Sequence, residues 1–362
     1  MWIALLGRRD TPVDGVEDYC RFLGDALGAS GIELKRVRVP WLENGWIRGL
    51  YWLAQESTAW RGKWVVVQYT ALSWSRRGFP FAALAVLAIL RRSGACVAVM
   101  FHEPYRQGGS RWVDLVRGAC QDWVIRRLYR GATKAIFADP LERISWLPKN
   151  DAKATIIPIG ANIPEPATRA EFSGGPDEKT KNVAVFCLTE PPKQQLEVAD
   201  ICQAVQSAVA NGSKVRVVFL GRGTREATEE IAKAFSNVPV EVSVLGVIGD
   251  GEVSETLARS DAMLCVRGEI TPRRGSVIAG IACGLPIVGY EGAAGGTPLT
   301  EAGIEFVPYR DREALGRALS RVLTDRDLQN RLRKKSLYAQ ERFFSWHQIA
   351  ASYFDFLECG KS

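Results

Sequence analysis

The chain has 362 residues, 47% hydrophobic and 24% charged, a composition that excludes a disordered chain, a collagen-like repeat and a small disulfide scaffold. At roughly 150 residues per domain the length points to two substantial domains. The net charge of +7 is unevenly shared: residues 1–150 carry 22 basic and 13 acidic side chains, net +9, and the remaining 212 carry 25 and 27, net −2.

The start, "MWIALLGRRD", places five apolar residues before Arg8 and Arg9. It lacks the basic n-region and longer apolar stretch of a signal peptide and reads as a first strand. The turn "RRDTPVDG" follows, then "VEDYCRFLGDALGASG", helical in period and ending on glycine. "ELKRVRVP", "WVVVQY" and "ACVAVMF" are valine-rich strand candidates. The longest apolar run, Phe79 to Leu90, is flanked by Arg76, Arg77, Arg91 and Arg92. It is too short to span a bilayer, which needs about 20 residues. It reads either as a buried helix of an α/β layer or as a helix near the surface whose arginines meet anionic headgroups. "KAIFADP" and "KATIIPIG" complete the first set of strands, and short apolar strands separated by helices predict a parallel sheet covered on both faces.

Ala161 to Asn182 is rich in Pro, Gly and charge and is expected to be a linker. The alternation then restarts with "VAVFCL", a helix over Gln194–Asn211, "KVRVVFLG", a helix over Glu226–Phe235 and "VEVSVLG". A helix over Gly251–Arg259, "AMLCV", a helix over Ser276–Cys283 and "PIVGY" follow, and residues 311–343 read as two charged surface helices. The prediction is α/β with two doubly wound, Rossmann-like domains facing a central cleft, where helix N-termini and strand carboxyl ends hold the chemistry. The expected boundaries are 1–165, a linker 166–182, 183–342, and a last helix 343–362 that crosses back to the first domain.

Ten of the eleven tryptophans lie at or before Trp146, some in expected loops such as "WLENGWIRGLYW", which could contact sugar rings or a bilayer interface, and others in the core. A basic, Trp-rich first half suits an acidic partner, nucleic acid or anionic lipid. Eight cysteines without a C-x-x-C pair, most of them in apolar runs, fit a reducing compartment. There is no G-x-x-x-x-G-K-[ST] and no G-x-S-x-G. Gly221 and Gly223 of "GRGTRE" lack the third glycine of a dinucleotide fingerprint, with Glu226 in its place, which leaves open a glycine turn near a phosphate. With His102 and His347 as the only histidines, no metal is expected. "DRD" at 325–327 is expected to open a helix, where acids favour the dipole.

Three constellations remain. Gly15 in "VDGVEDY" opens a helix whose N–H groups could hold phosphate, or serves as a plain strand–turn–helix glycine. His102 and Glu103 follow a strand and could bind a sugar hydroxyl, exchange a proton, or make a structural hydrogen bond. Arg273, Arg274, Gly275 and Ser276 form a basic turn at the start of an apolar helix, suited to a diphosphate; an isolated arginine pair would otherwise be solvated surface.

In this order the segments resemble those of the bacterial glycosyltransferases of GT-B fold, specifically the large retaining family 4. "GVEDYCRFLGDALGASGIEL" is similar to the family's Gly-Gly loop and first helix, "VAVMFHEP" to its strand ending in His-Asp or His-Glu, and "ATIIPIGANI" to the segment before its linker. "VRVVFLGRG", "LARSDAMLCV", "ACGLPIVGYEGAAG" and "FSWHQIAASYFDFLE" follow in family order. Departures are equally specific. The family's two glutamates fall on Thr271 and Ala279, with Glu269 two residues upstream of the first; its Arg and Lys fall on Leu188 and Lys193.

The resemblance implies a metal-independent, retaining transfer from a nucleotide diphosphate sugar to a glycan or lipid-linked glycan in bacterial polysaccharide synthesis, without a cofactor. His102, Glu103 and Arg274 would be catalytic. Gly15, Lys193, Gly221, Gly223, Glu269, Arg273, Gly275 and Ser276 would bind the donor. The protein would be cytoplasmic, peripheral on the inner membrane face through anionic lipid, with no nucleic-acid partner. Loss of the glutamates motivates an alternative, a nucleotide-sugar-binding or regulatory protein with impaired chemistry.

Overall fold

A computed structural model describes residues 1–10, 14–109, 111–166, 180–292 and 298–358. Most of the expected linker, the last residues of "GYEGAAG" and Cys359 fall outside them. Two units emerge, Met1–Ile159 with Trp346–Ser362, and Gly160–Ser345.

The first unit is a six-stranded parallel sheet: β1 (Trp2–Leu6), β2 (Leu34–Arg38), β3 (Trp64–Tyr69), β4 (Cys96–Phe101), β5 (Lys134–Phe137) and β6 (Ala154–Ile156), in the order β2-β1-β3-β4-β5-β6. Both faces are buried because alternate strand residues are apolar in both directions. Ile3, Leu5, Val65, Val67, Val97 and Val99 face α2 (Trp41–Glu56), α3 (Ala82–Arg92) and α4 (Trp112–Gly131). Ala4, Leu6, Val66, Ala98 and Met100 face α1 (Gly15–Ala29) and the C-terminal helix Trp346–Glu358, which are pinned together by a Tyr19–Tyr353 hydroxyl bond of 2.9 Å.

The apolar run Phe79–Leu90 supplies most of α3, which buries Ala83, Val86, Leu87 and Leu90, the i, i+3, i+4, i+7 face of a core helix. Its buried-helix reading is the one observed, although Phe81 at its start stays 48% exposed. "WLENGWIRGLYW", expected as a loop, is helical in α2. The helix is interrupted only locally: Gly45 takes φ 74°, open only to glycine without strain, and the helix resumes beyond it. Trp2, Trp41, Trp60, Trp64 and Trp74 are core residues, whereas Trp112 and Trp123 on α4 are exposed.

The second unit repeats the plan with β7 (Lys181–Phe186), β8 (Val215–Leu220), β9 (Glu241–Gly246), β10 (Ala262–Cys265), β11 (Ile287–Tyr290) and β12 (Ile304–Val307), in the order β12-β11-β10-β7-β8-β9. The helices are α5 (Lys193–Ala210), α6 (Thr228–Phe235), α7 (Asp250–Ala258), α8 (Gly275–Ala282), α9 (Arg312–Thr324) and α10 (Arg326–Ala339). β12, a four-residue edge strand interrupted by Glu305, is absent from the sequence reading. α9 is less of a surface helix than its charge suggested, burying Leu315, Ala318, Leu319 and Val322 against the sheet. Asp325 of "DRD" caps α10, its carboxylate accepting from the Leu328 N–H at 2.9 Å, so the structural reading of that triplet holds. Among the described residues no helix is long and apolar enough to cross a membrane.

Candidate functional site

Strand order reverses between β7 and β10 in the second sheet, and between β1 and β3 in the first. Ligands of open parallel sheets bind outside the carboxyl ends of the strands at such reversals, because neighbouring loops diverge there and leave a crevice.

In the second unit, the loops after β7, β8 and β10 and the start of α8 bring cations to that edge. Burial pushes the Cys187 thiol up, while the guanidiniums of Arg267, Arg222 and Arg274 pull it down. Burial likewise raises the Cys265 thiol against the pull of Arg274 and Arg267. Three guanidiniums therefore act on the thiols that end β7 and β10. Arg274 has the N-cap position of α8, and its Nη2 donates to the Glu269 carbonyl at 2.9 Å. No side chain caps α8, so its first N–H groups and its dipole add to the same positive field. Gly275 is exposed, and Arg273 and Ser276 are half-buried. Glu269 is exposed, and a Cβ on Gly292 at the end of the β11 loop would lie 3.5 Å from its carboxylate.

Gly221 and Gly223 close the loop after β8 tightly against the loop after β7. The Leu188 N–H donates to the Arg222 carbonyl at 2.9 Å, and the Gln194 amide to the Gly223 carbonyl at 2.6 Å. Gly223 has φ 80°, and a Cβ there would meet the Leu188 carbonyl oxygen at 2.4 Å. Only glycine permits this approach, which carries Arg222 to the edge. Lys193 is exposed at the first position of α5, next to Gln194. The loop between is held by Glu197, 5% exposed, whose carboxylate accepts from the Thr189 N–H at 2.8 Å and its hydroxyl at 2.6 Å.

Arg222, Arg267 and Glu197 were missed in the sequence. The two arginines were findable, since each lies within two residues of a strand's carboxyl end; Glu197 resembles any polar helix residue. Glu197→Ala is expected to cost about 1–3 kcal/mol by leaving the Thr189 groups unsatisfied. Urea unfolding would measure it, and an unchanged midpoint would mean that other contacts hold the loop.

In the first unit, the helix start at Gly15 is already occupied by an acid. Asp14 accepts from the Val16 and Glu17 N–H groups, both at 3.1 Å. Arg38 in turn donates to Asp14 at 3.4 Å and to Glu17 at 2.9 Å. The N–H groups offered to a phosphate in the sequence reading are thus spent on a cap, and α8 is the helix start better suited to an anion.

His102 and Glu103 stand at the carboxyl end of β4, both half-buried. The His102 Nε2 lies 2.8 Å from the Gln68 side-chain oxygen, and the Tyr19 ring meets the imidazole edge-on at 5.3 Å. The Gln68 amide nitrogen turns to the Val66 carbonyl at 3.5 Å, leaving the oxygen to accept from Nε2. That tautomer carries its lone pair on Nδ1. Burial raises the Tyr69 hydroxyl, and the charge of Glu103 raises it further. The structure groups Gly15, His102 and Glu103 on the first sheet's edge and Lys193, Gly221, Gly223, Glu269 and the 273–276 turn on the second's. Among the described residues no three His, Cys, Asp or Glu side chains cluster as metal ligands.

Residues 182–325 match the family model "Glycosyl transferases group 1". No curated protein matches the chain in sequence at a significant level. Solved structures similar to it include HepE of Anabaena, in complex with UDP and glucose, at 13% identity and TM-score 0.66 over 99% of this chain and 100% of that one. A glycosyltransferase from Rickettsia africae has 12% identity and TM-score 0.71, over 100% and 99%. Sucrose-phosphate synthase from Thermosynechococcus elongatus has 18% identity and TM-score 0.66, over 99% and 98%. With residues 182–325 matching group 1 glycosyl transferases and each unit built on a six-stranded parallel sheet, the chain has the GT-B fold of these structures.

Proposed function

We propose that the protein transfers a sugar, with retention of configuration, from a nucleotide diphosphate sugar to a glycan or lipid-linked glycan in bacterial polysaccharide synthesis. The observation that carries this reading is the convergence of Arg222, Arg267 and Arg274 with the uncapped start of α8 at the strand-order reversal. Negative charge grows on the diphosphate as the glycosidic bond breaks, and preorganised donors lower the barrier most where charge develops. Guanidiniums and helix N–H groups supply at that edge the positive charge that a metal supplies elsewhere, so the transfer needs none. Lys193 adds a mobile cation, Glu269 is the carboxylate nearest the missing family glutamates, and Gly275 and Ser276 offer backbone donors. His102 and Glu103 act on the sugar or acceptor hydroxyls. The net +9 of residues 1–150 suits an acceptor unit resting on anionic lipid at the inner membrane face.

UDP, the nucleotide held by the Anabaena neighbour, is the first to try. Calorimetry should find UDP bound about tenfold or more tighter than UMP, because the second phosphate meets the arginines. EDTA should change neither affinity nor turnover. Equal affinities for UDP and UMP would overturn the arginine assignment. A second reading is favoured by Ala279, 2% exposed where the family has a glutamate: a nucleotide-sugar-binding protein without turnover. It predicts the same UDP preference, with neither hydrolysis nor transfer in the presence of acceptor extract.

A further inference from the structure

A cavity of about 650 Å³ opens in the first unit between the start of α2 and the segment 74–82. Volumes of 300–1,000 Å³ are typical of sites for small organic ligands. Its walls are aromatic: Trp41, Trp46, Trp74, Phe79 and Phe81, with Leu42. The Trp41 and Trp46 rings stack at 4.6 Å, and the turn at Gly45 between them makes this possible. Arg76 and Arg77, both exposed, complete the lining. Among the described residues no carboxylate pairs with either.

Two features mark it as more than a packing defect. Trp41 is 5% exposed, and its indole N–H, buried, has no hydrogen-bond partner. The wall is also tied to the candidate acceptor groups: the Trp74 indole donates to the Gln68 carbonyl at 2.9 Å, and the Gln68 side chain holds His102. The cavity thus belongs to the carboxyl edge of the first sheet.

The surroundings select the ligand. Phe81 is 48% exposed and lies 6.1 Å from Trp123, 47% exposed, over which Arg127 sits at 5.3 Å. Along the same exposed stripe of α4 stand Trp112, Leu115 and Val116. A soluble glycan would leave this apolar rim in water, whereas a lipid would cover it. The cations at the rim require that the lipid be anionic.

We propose that this cavity seats the hydrocarbon chain of a lipid phosphate or diphosphate, whose phosphate is held by Arg76 and Arg77. It rests on the reading above that the acceptor is lipid-linked, and it gives that acceptor a place and a chemical class. The Trp and Phe walls exclude water from the chain, and the guanidiniums discriminate phosphorylated from neutral lipids.

Farnesyl phosphate, below its aggregation concentration, is the probe, with farnesol and inorganic phosphate as controls, titrated calorimetrically into the full chain. Wild type should bind farnesyl phosphate at least about tenfold tighter than farnesol. Arg76→Gln with Arg77→Gln should abolish that preference without changing farnesol binding. Phe81→Ser, at an exposed position where the fold is safe, should weaken both ligands alike. Unchanged farnesyl phosphate affinity in both variants would overturn the assignment. So would competition by inorganic phosphate at comparable concentration, which would mean a free-phosphate site. UDP titrated into the same samples separates this inference from the function. UDP binding without farnesyl phosphate binding sinks the cavity assignment alone; farnesyl phosphate binding without UDP binding supports the cavity and overturns UDP as the donor nucleotide.

Discussion

Replacing Arg274 with alanine is expected to lower kcat about 100-fold, with little loss of stability. Its Nη2 is committed to the Glu269 carbonyl, and among the described residues no hydrogen bond engages its Nη1, which is left to meet an incoming anion. The position reinforces the charge: as N-cap of an otherwise uncapped helix, Arg274 and the α8 dipole act on the same point. The donor diphosphate carries part of its charge in the ground state and gains more as the sugar leaves. Removing the guanidinium should therefore reduce kcat more than it raises KM. Arg274→Lys should recover only part of the loss, since an ammonium cannot reproduce the planar fork. Steady-state kinetics with UDP-glucose as trial donor, alongside a melting curve, would decide the matter. A kcat within twofold of wild type would remove Arg274 from the site.

Most of this site could be read from the chain because its parts are local. Arg273 to Ser276 are contiguous, and an arginine pair before Gly-Ser and an apolar run marks a helix start whatever the rest of the fold does. The strands were legible for a similar reason: runs such as "WVVVQY" bury both faces and need no partner to be recognised. What failed required contacts distant in sequence. Gly15 looked like an anion-binding helix start, but whether Asp14 turns in to cap it depends on Arg38 across β2. "WLENGWIRGLYW" was expected as a loop, yet Trp41 and Leu53 both reach the core from one helix that continues past the non-helical Gly45. Arg222 stood in plain view beside Gly221, but its role depends on the Gly223 approach to Leu188, a contact between two strands' loops.

Asp200→Ala should produce the largest loss of stability in the second unit, about 3 kcal/mol. Asp200, on α5 and 2% exposed, accepts from the Tyr290 hydroxyl at 2.7 Å and from the Arg312 Nε. It thereby ties the end of β11 and the start of α9 to the helix that begins at Lys193. Burial raises the Tyr290 hydroxyl, and the carboxylate it donates to raises it further, so it stays protonated as a donor through any working pH. Removing a buried ion-pair partner costs about 3–5 kcal/mol when the charge left behind stays buried. Here the Arg312 side chain is 38% exposed and can turn to water, which lowers that share. The Tyr290 hydroxyl, in a residue 1% exposed, has no such escape and contributes about 1–3 kcal/mol. For a unit of this size the midpoint should fall by about 6–12 °C. Asp200→Asn, which keeps an acceptor for Tyr290 and deletes only the charge, should lose about half as much. If the two variants melt together, the hydroxyl bond contributes little and Arg312 carries the coupling; if neither melts early, the tie between α5 and α9 is made by apolar packing alone.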